Sequence, residues 1–236
     1  MTPPVDAVLL DVGGVLTLPE LTIIRSAVEL FGVSPDVDTL DRAHYFAVHA
    51  ADRRPKSAHD AYRNEYLTAY VMALGVSPKN AAAAAQSLDE AFAESENAWS
   101  RIAPGAAEGL GAICRTGARV ALVSNTLHGR VEEGLLRLGL CQVGPGLGSE
   151  VVAIIDSTRV GMAKPDPRIF RLGLEAVGTP PERAIFVGDS VRNDVRGAEA
   201  VGMVALHLDP LGICSERGHD DVATLRQVAQ RVVDPE

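Results

Sequence analysis

Asp11 closes the apolar run Val5-Asp6-Ala7-Val8-Leu9-Leu10 and opens directly into Val12-Gly13-Gly14-Val15-Leu16-Thr17. A carboxylate that leaves a buried strand into a glycine-rich turn lies at the carboxyl edge of a sheet, where open α/β sheets bind their ligands. Two roles are open to it there. It can cap the turn, or, held in line with an electrophile and stripped of competing charge, it can act as a nucleophile. Ser124-Asn125-Thr126 follows a second apolar run, Val120-Ala121-Leu122-Val123. A hydroxyl and the next backbone N–H at a strand end can hold a phosphate oxygen, although Ser-Asn in this position also serves as a turn or helix cap. Lys164 precedes Pro165, which fixes the backbone, so its amine projects from a rigid turn either as a point charge for Asp11 and a phosphate or into solvent. Gly188-Asp189-Ser190 ends a third run, Ala184-Ile185-Phe186-Val187, with Asn193-Asp194 at the start of the next helix. Asp11, Asp189 and Asp194 brought to one edge would repel unless a cation lay among them. Hard oxygen ligands with room for water and phosphate select Mg²⁺.

These residues need elements to hold them in place. Val5–Leu10 is short and lacks a helical stripe, which predicts a buried central strand. From Pro104 onward, helix and strand alternate. Helices are predicted over Gly105–Arg115, Gly129–Leu138, Pro167–Val177, Val191–Val201 and Val222–Val232, with Gly117, Gly139 and Gly178 closing the first three. Strands are predicted over Arg119–Val123, Val151–Ile155, Ala184–Val187 and Met203–Leu208. Repeated βα units imply a parallel sheet with right-handed crossovers. Between Thr17 and Arg101 the character changes to all-helical, with segments over Leu21–Phe31, Val37–Ala50, His59–Leu74 and Lys79–Trp99. Ser34-Pro35 and Ser77-Pro78 each place a capping hydroxyl before a proline at a first helical position.

Taken in order, Asp11, Ser124-Asn125-Thr126, Lys164-Pro165-Asp166 and Gly188-Asp189-Ser190 with Asn193-Asp194 resemble the motifs of the haloacid dehalogenase superfamily. Gly161-Met162-Ala163-Lys164-Pro165-Asp166-Pro167 follows that family's pattern closely. The resemblance implies a doubly wound, Rossmann-like α/β core over 1–17 and 101–236, with an inserted all-helical cap over 18–100. A cap of this kind closes over the site, excludes water and selects the substrate. The resemblance also implies an Mg²⁺-dependent hydrolase of small phosphomonoesters. Asp11 would attack phosphorus to give an aspartyl-phosphate, aided by Ser124 and Lys164. Gly14, Ser124, Asn125 and Lys164 would bind the phosphate. The metal would be held by the Asp11 carboxylate, the Gly13 backbone carbonyl and the acidic pair Asp189 and Asp194.

One position departs from the pattern. Phosphatases of the family carry a second aspartate two residues after the nucleophile, which protonates the leaving oxygen and later activates water. Here that position is Gly13. Such a general acid is worth about 10²–10⁴ in rate, roughly 3–5 kcal/mol. Three routes stay open: a substrate with a good leaving group, a replacement acid such as His44, His49 or His59, or a chain that binds a phosphate ligand without turnover. The family's dehalogenases also lack the second aspartate, because halide leaves without a proton. They need no metal, however, and as a group do not keep the acidic pair, so dehalogenation ranks behind the other readings. Some members with glycine at this position resemble sugar-phosphate phosphatases. On the helical insert, Tyr45, Arg53, Arg54 and Tyr62 are candidate substrate contacts.

Composition bounds the rest. Of 236 residues, 47% are hydrophobic and only 4% aromatic, so the core is built mainly from Ala, Val and Leu, as suits strands buried on both faces. A formal charge of −9 with no basic stripe argues against a nucleic-acid partner. Cys114, Cys141 and Cys214 are widely spaced and odd in number, and read as small buried or half-buried side chains rather than a disulfide or zinc set. No apolar run approaches the roughly 20 residues that span a bilayer, and the first residues lack the basic start of a signal peptide. The expectation is a cytoplasmic monomer or homodimer acting on a small phosphorylated metabolite, with no membrane partner.

Overall fold

The computed structural model describes residues 4–53 and 59–234, without the side chains of His59 and Asp60. Arg54 and the His59 imidazole, both singled out above, lie outside the described residues. The chain forms two compact units, Met1–Thr17 with Ile102–Glu236, and Leu18–Arg101. The first half runs β1 (Ala7–Leu10), β2 (Thr17–Leu18), α1 (Leu21–Glu29), α2 (Val37–Asp52), α3 (His59–Ala73), α4 (Ala81–Glu94), β3 (Arg101–Ile102) and α5 (Ala106–Arg115). There follow β4 (Arg119–Ser124), α6 (Val131–Arg137), β5 (Cys141–Val143), β6 (Ser149–Val151), β7 (Ala153–Asp156), α7 (Ser157–Val160) and α8 (Pro167–Val177). The chain ends with β8 (Ala184–Gly188), α9 (Arg196–Glu199), β9 (Val204–Leu208), β10 (Asp220–Val222) and α10 (Leu225–Val233).

The larger unit is built on a six-stranded sheet in the order β10-β9-β8-β1-β4-β7, and every pairing in it is parallel. Alternate side chains explain the continuous apolar runs. Leu9, Ala121, Val123 and Phe186 pack with Ile169 and Phe170 on one face, while Val8, Leu10, Val120 and Leu122 are buried on the other. Such two-sided burial is what a parallel sheet requires. Strand order reverses at β1, since the chain moves outward first through β4 and β7 and then through β8, β9 and β10. A doubly wound sheet opens its ligand crevice at such a switch point, and Asp11 is the first residue beyond β1.

The smaller unit is helical around Ile24, Val28, Leu40, Leu67, Tyr70, Leu88 and Phe92. Tyr70 is fully buried and donates its hydroxyl hydrogen to the Leu40 carbonyl at 3.3 Å, so the polar tip of its ring is satisfied inside the core. Arg63 pairs with Asp89 at 2.5 Å, and Arg101 pairs with Asp41.

Several boundaries differ from the sequence reading. Val151–Ile155 is not one strand: β6 ends at Val151 and β7 begins at Ala153, each with its own partner. The last helix, predicted from Val222, instead begins after Thr224 with a reciprocal Thr224–Gln227 capping box, and Val222 ends the strand β10. The predicted helix over Val191–Val201 opens with a π-helical turn, Val191–Val195. The Ser-Pro caps are also corrected. Asp36, not Ser34, caps α2 by accepting from the Thr39 N–H at 2.8 Å, and Ser77 makes no capping hydrogen bond to the short 3₁₀ turn at Pro78.

The Asp36 cap has a measurable signature. The Thr39 hydrogen bonds hold the Asp36 carboxyl below its usual pKa, so its contribution is complete above about pH 4 and fades as pH falls through the lowered value. Asp36→Ala should lower the urea midpoint at neutral pH, and Ser34→Ala should leave it unchanged. Equal effects would return the cap to Ser34.

Candidate active site

Asp11, Ser124 and Asp189 lie at the ends of β1, β4 and β8, at the same edge of the sheet. Beyond β1, the Asp11 N–H donates to the Val187 carbonyl at 2.9 Å, and Asp11 Oδ1 accepts from the Val12 N–H at 2.6 Å. The chain then folds back on itself, with the Leu16 and Thr17 N–H groups both donating to the Val12 carbonyl at 2.8 and 2.9 Å. Gly14 sits at φ +75°, a backbone state that L side chains rarely adopt. Gly13 is not among the positive-φ glycines. The backbone at Gly13 therefore accepts a side chain, whereas the backbone at Gly14 does not.

Lys164 lies at the centre of the site. Its ammonium is 2.7 Å from Asp11 Oδ1 and 2.7 Å from Asp194 Oδ1, and its side chain is 2% exposed. The Asn125 side chain secures it from behind. The amide oxygen accepts from the Lys164 N–H at 2.8 Å, and the amide nitrogen donates to the Lys164 carbonyl at 3.0 Å. The Asn125 side-chain amide is thus engaged with the backbone beside the lysine. Ser124 ends β4 and is buried. Thr126 turns away to the end of β7, where its hydroxyl donates to Asp156 Oδ1 at 2.5 Å. Asp156, at the end of β7, is occupied in accepting from the Thr126 hydroxyl and the Thr158 and Val131 N–H groups.

Asp189 and Asp194 come from the segment after β8. The π-helical turn carries Asp194 back beneath the strand end, where Oδ2 accepts from the Ser190 N–H at 3.0 Å. π-Turns often mark functional sites because the extra residue redirects a side chain. Gly188 makes the return possible, since a Cβ there would overlap the Asp194 side chain. One carboxylate oxygen from each of Asp11, Asp189 and Asp194 can be chosen so that all three lie within 4.8 Å of one another. Three carboxylate oxygens this close together suit a hard divalent cation with oxygen ligands.

The electrostatics follow from burial. Loss of water raises the Asp11 pKa, Lys164 opposes this, and Asp194 and Asp189 add to the rise, leaving Asp11 well above the ordinary carboxylate range. Asp194 is raised for the same first reason, against Lys164 and with Asp189. For Lys164, burial disfavours the ammonium, but Asp11 and Asp194 outweigh it and the pKa rises.

Two of the residues named on the helical unit, His44 and Tyr62, have local partners there. His44 is buried, with Nδ1 3.0 Å from the Tyr66 hydroxyl and its ring edge-on to Tyr45, Tyr66 and Trp99. The Tyr62 hydroxyl donates to Asp52 at 3.2 Å. Sequence reasoning missed His207, which stands opposite Gly188 in the sheet register. Its Nε2 lies 3.0 Å from the Asp189 carbonyl oxygen and its Nδ1 2.8 Å from Asp221 Oδ1. A lone histidine within a strand carries no spacing signal that would have revealed it.

A family model for haloacid dehalogenase-like hydrolases matches residues 5–202. The chain belongs to that family. Among its relatives is a phosphoserine phosphatase of Thermus thermophilus, 40% identical over 95 residues, which are 40% of this chain and 35% of the relative. A glyceraldehyde 3-phosphate phosphatase of Methanothermobacter thermautotrophicus is 32% identical over 123 residues, 48% of this chain and 51% of the relative. The matches therefore span about a third to a half of these relatives' lengths. Among solved structures, the magnesium-bound HAD-hydrolase YfnB of Bacillus subtilis superposes with a TM-score of 0.63 at 16% identity, covering 98% of this chain and 99% of that one. A HAD phosphatase from Thermococcus onnurineus gives 0.57 at 20% identity, covering 98% and 99%. At these identities the superpositions establish the shared fold.

Two outcomes follow from the geometry. Gly188→Ala should displace Asp194, costing about 1–3 kcal/mol of stability through overpacking and weakening divalent-cation binding by calorimetry. Unchanged cation affinity would mean that Asp194 needs no such space. A carboxyl whose pKa rises on folding adds stability below its unfolded pKa, about 4, and that stability is lost as pH climbs through the raised value. Metal-stripped Asp11→Asn should therefore melt no lower than the native chain at neutral pH. A clearly lower melting temperature would show that the Lys164–Asp11 pair outweighs burial.

Proposed function

We propose that this chain is an Mg²⁺-dependent phosphatase of small phosphomonoesters that works through an aspartyl-phosphate on Asp11. The observation carrying the proposal is the buried Lys164 ammonium shared by Asp11 and Asp194, with Asp189 beside them, at the switch point of the sheet. In the first step an Asp11 carboxylate oxygen attacks phosphorus, the ester P–O bond breaks, and the leaving oxygen takes a proton from solvent. Water then attacks the acyl phosphate, releasing inorganic phosphate and restoring the carboxylate. Lys164 offsets the charge of nucleophile and phosphate, Asn125 fixes the backbone that presents Lys164, and the Ser124 hydroxyl and the turn at Gly14 receive the phosphoryl oxygens. When bound by Asp11, Asp189, Asp194 and the Gly13 carbonyl, Mg²⁺ neutralises the carboxylates and polarises the phosphoryl group. The helical unit would act as the substrate-selecting cap. The relatives named as phosphoserine and glyceraldehyde 3-phosphate phosphatases support a small phosphorylated metabolite as substrate.

Gly13 favours a second reading, a phosphate-binding protein with little turnover, because no carboxyl at that position can protonate an alkoxide. p-Nitrophenyl phosphate separates the two, since its leaving group needs little protonation. The native chain should hydrolyse it with Mg²⁺, chelator should abolish the activity, and Asp11→Asn should lose at least about 10³-fold. Gly13→Asp should speed alkyl phosphate hydrolysis by about 10²–10⁴ while changing the aryl substrate little. A folded but inactive native chain would favour the binding reading, and full activity in Asp11→Asn would overturn the proposed nucleophile.

A further inference from the structure

A second cluster of metal-ligating side chains lies apart from the three carboxylates. His207 is on β9 and Asp221 on β10, directly paired in the sheet register. The loop joining the two strands returns Cys214 and His219 to the same place. Asp209 shapes that loop, its N–H donating to the Val222 carbonyl at 2.9 Å and its Oδ2 accepting from the Cys214 N–H at 2.7 Å. One donor atom from each of His207, Cys214, His219 and Asp221 can be chosen so that all four lie within 4.8 Å of one another.

Three separations show how closely the donors converge. His207 Nδ1 to Asp221 Oδ1 is 2.8 Å, His219 Nε2 to Asp221 Oδ1 is 3.2 Å, and Cys214 Sγ to His219 Nε2 is 3.5 Å. Bond lengths of about 2.0–2.3 Å around a tetrahedral zinc-like ion set donor–donor edges at roughly 3.3–3.6 Å. Small side-chain adjustments reach that geometry.

Hydrogen-bond accounting at His207 points the same way. Its Nε2 faces the Asp189 carbonyl oxygen, which can only accept, so Nε2 carries the hydrogen. Its Nδ1 then faces a carboxylate oxygen, and two acceptors at 2.8 Å need a cation between them, either a proton or a metal. Donation of the far ring N–H to a backbone carbonyl is the usual way a ligating histidine is oriented. The near-perpendicular His207 and His219 rings, with centroids 5.2 Å apart, converge on the same carboxylate and leave the thiol as a fourth donor.

We propose that His207, Cys214, His219 and Asp221 form a site for a borderline-soft divalent transition ion of the zinc class. A thiol and two imidazoles select against Mg²⁺ and Ca²⁺ and suit tetrahedral Zn²⁺. The ion would tie the 209–219 loop to the edge of the sheet and fix the imidazole that holds the Asp189 carbonyl. This site is independent of whether the carboxylate site hydrolyses phosphate esters.

Cobalt(II) is the probe, added to the metal-stripped full chain with excess Mg²⁺ to occupy the carboxylates. Native protein should bind one Co²⁺ with intense visible absorption of tetrahedral type and a sulfur-to-metal charge-transfer band, both bleached by Zn²⁺. Cys214→Ser should lose the charge-transfer band. His219→Ala, which keeps the thiol, should weaken Co²⁺ binding by more than the 10–100-fold that outer-shell changes typically cost. Asp11→Asn should leave the spectrum intact. Circular dichroism of the metal-free variants, expected to match the native chain, separates lost ligation from lost folding. Absence of a charge-transfer band at saturating Co²⁺ would overturn the proposal and leave a proton between His207 and Asp221, and so would persistence of the band in Cys214→Ser.

Discussion

A single buried ammonium organises the sheet's carboxyl edge. Lys164 has lost its water and replaced it with two carboxylates at 2.7 Å, one from the turn after β1 and one from the segment after β8. Burying any one of these charges alone would cost several kcal/mol or force it to neutralise. Asp189 adds a third carboxylate close to these two. Three carboxylates converging at one strand edge suit a divalent cation and the chemistry a cation allows. Their convergence is also a local cost to folding, as active sites commonly are.

The fold meets this constraint with a few local devices. Placing β1 between β4 and β8 brings three strand ends together, so residues more than a hundred positions apart meet without long connections. Asn125 fastens the Lys164 backbone with two hydrogen bonds. Gly188 leaves the volume that Asp194 fills, and the π-helical turn supplies the bend that returns Asp194 to the site. On the far side of Asp189, His207 joins the edge strands to the same segment. A tight loop at Gly13 and Gly14 completes the mouth of the site, and its missing carboxylate distinguishes this chain from the phosphatase pattern of its family.

Much of this could be read from the residues. β1, β4, β8 and β9 were legible because parallel strands buried on both faces leave uninterrupted apolar runs. The strand-end motifs were legible because strand, polar cluster and helix recur in order. Interactions decided by three-dimensional approach were not legible. No sequence pattern shows that the Asn125 side-chain amide fastens the Lys164 backbone. Asp36 displaced Ser34 as a cap because the helix starts two residues later than the Ser-Pro pair suggests. The break between β6 and β7 and the short strand β10 depend on pairing partners, which local pattern does not specify. The set His207, Cys214, His219 and Asp221 mixes three ligand types at irregular spacing, so counting cysteines could not find it.

The central claim is that the buried carboxylate beside Lys164 receives a phosphoryl group. Incubation with acetyl phosphate and Mg²⁺, followed by intact-mass measurement and peptide mapping after acid quench, tests it without depending on the acid absent at Gly13. One added phosphoryl group is expected, on Asp11, formed only with the cation and lost on treatment with hydroxylamine. A phosphoryl group on any other residue, or none on a folded chain with Mg²⁺ bound, would contradict it.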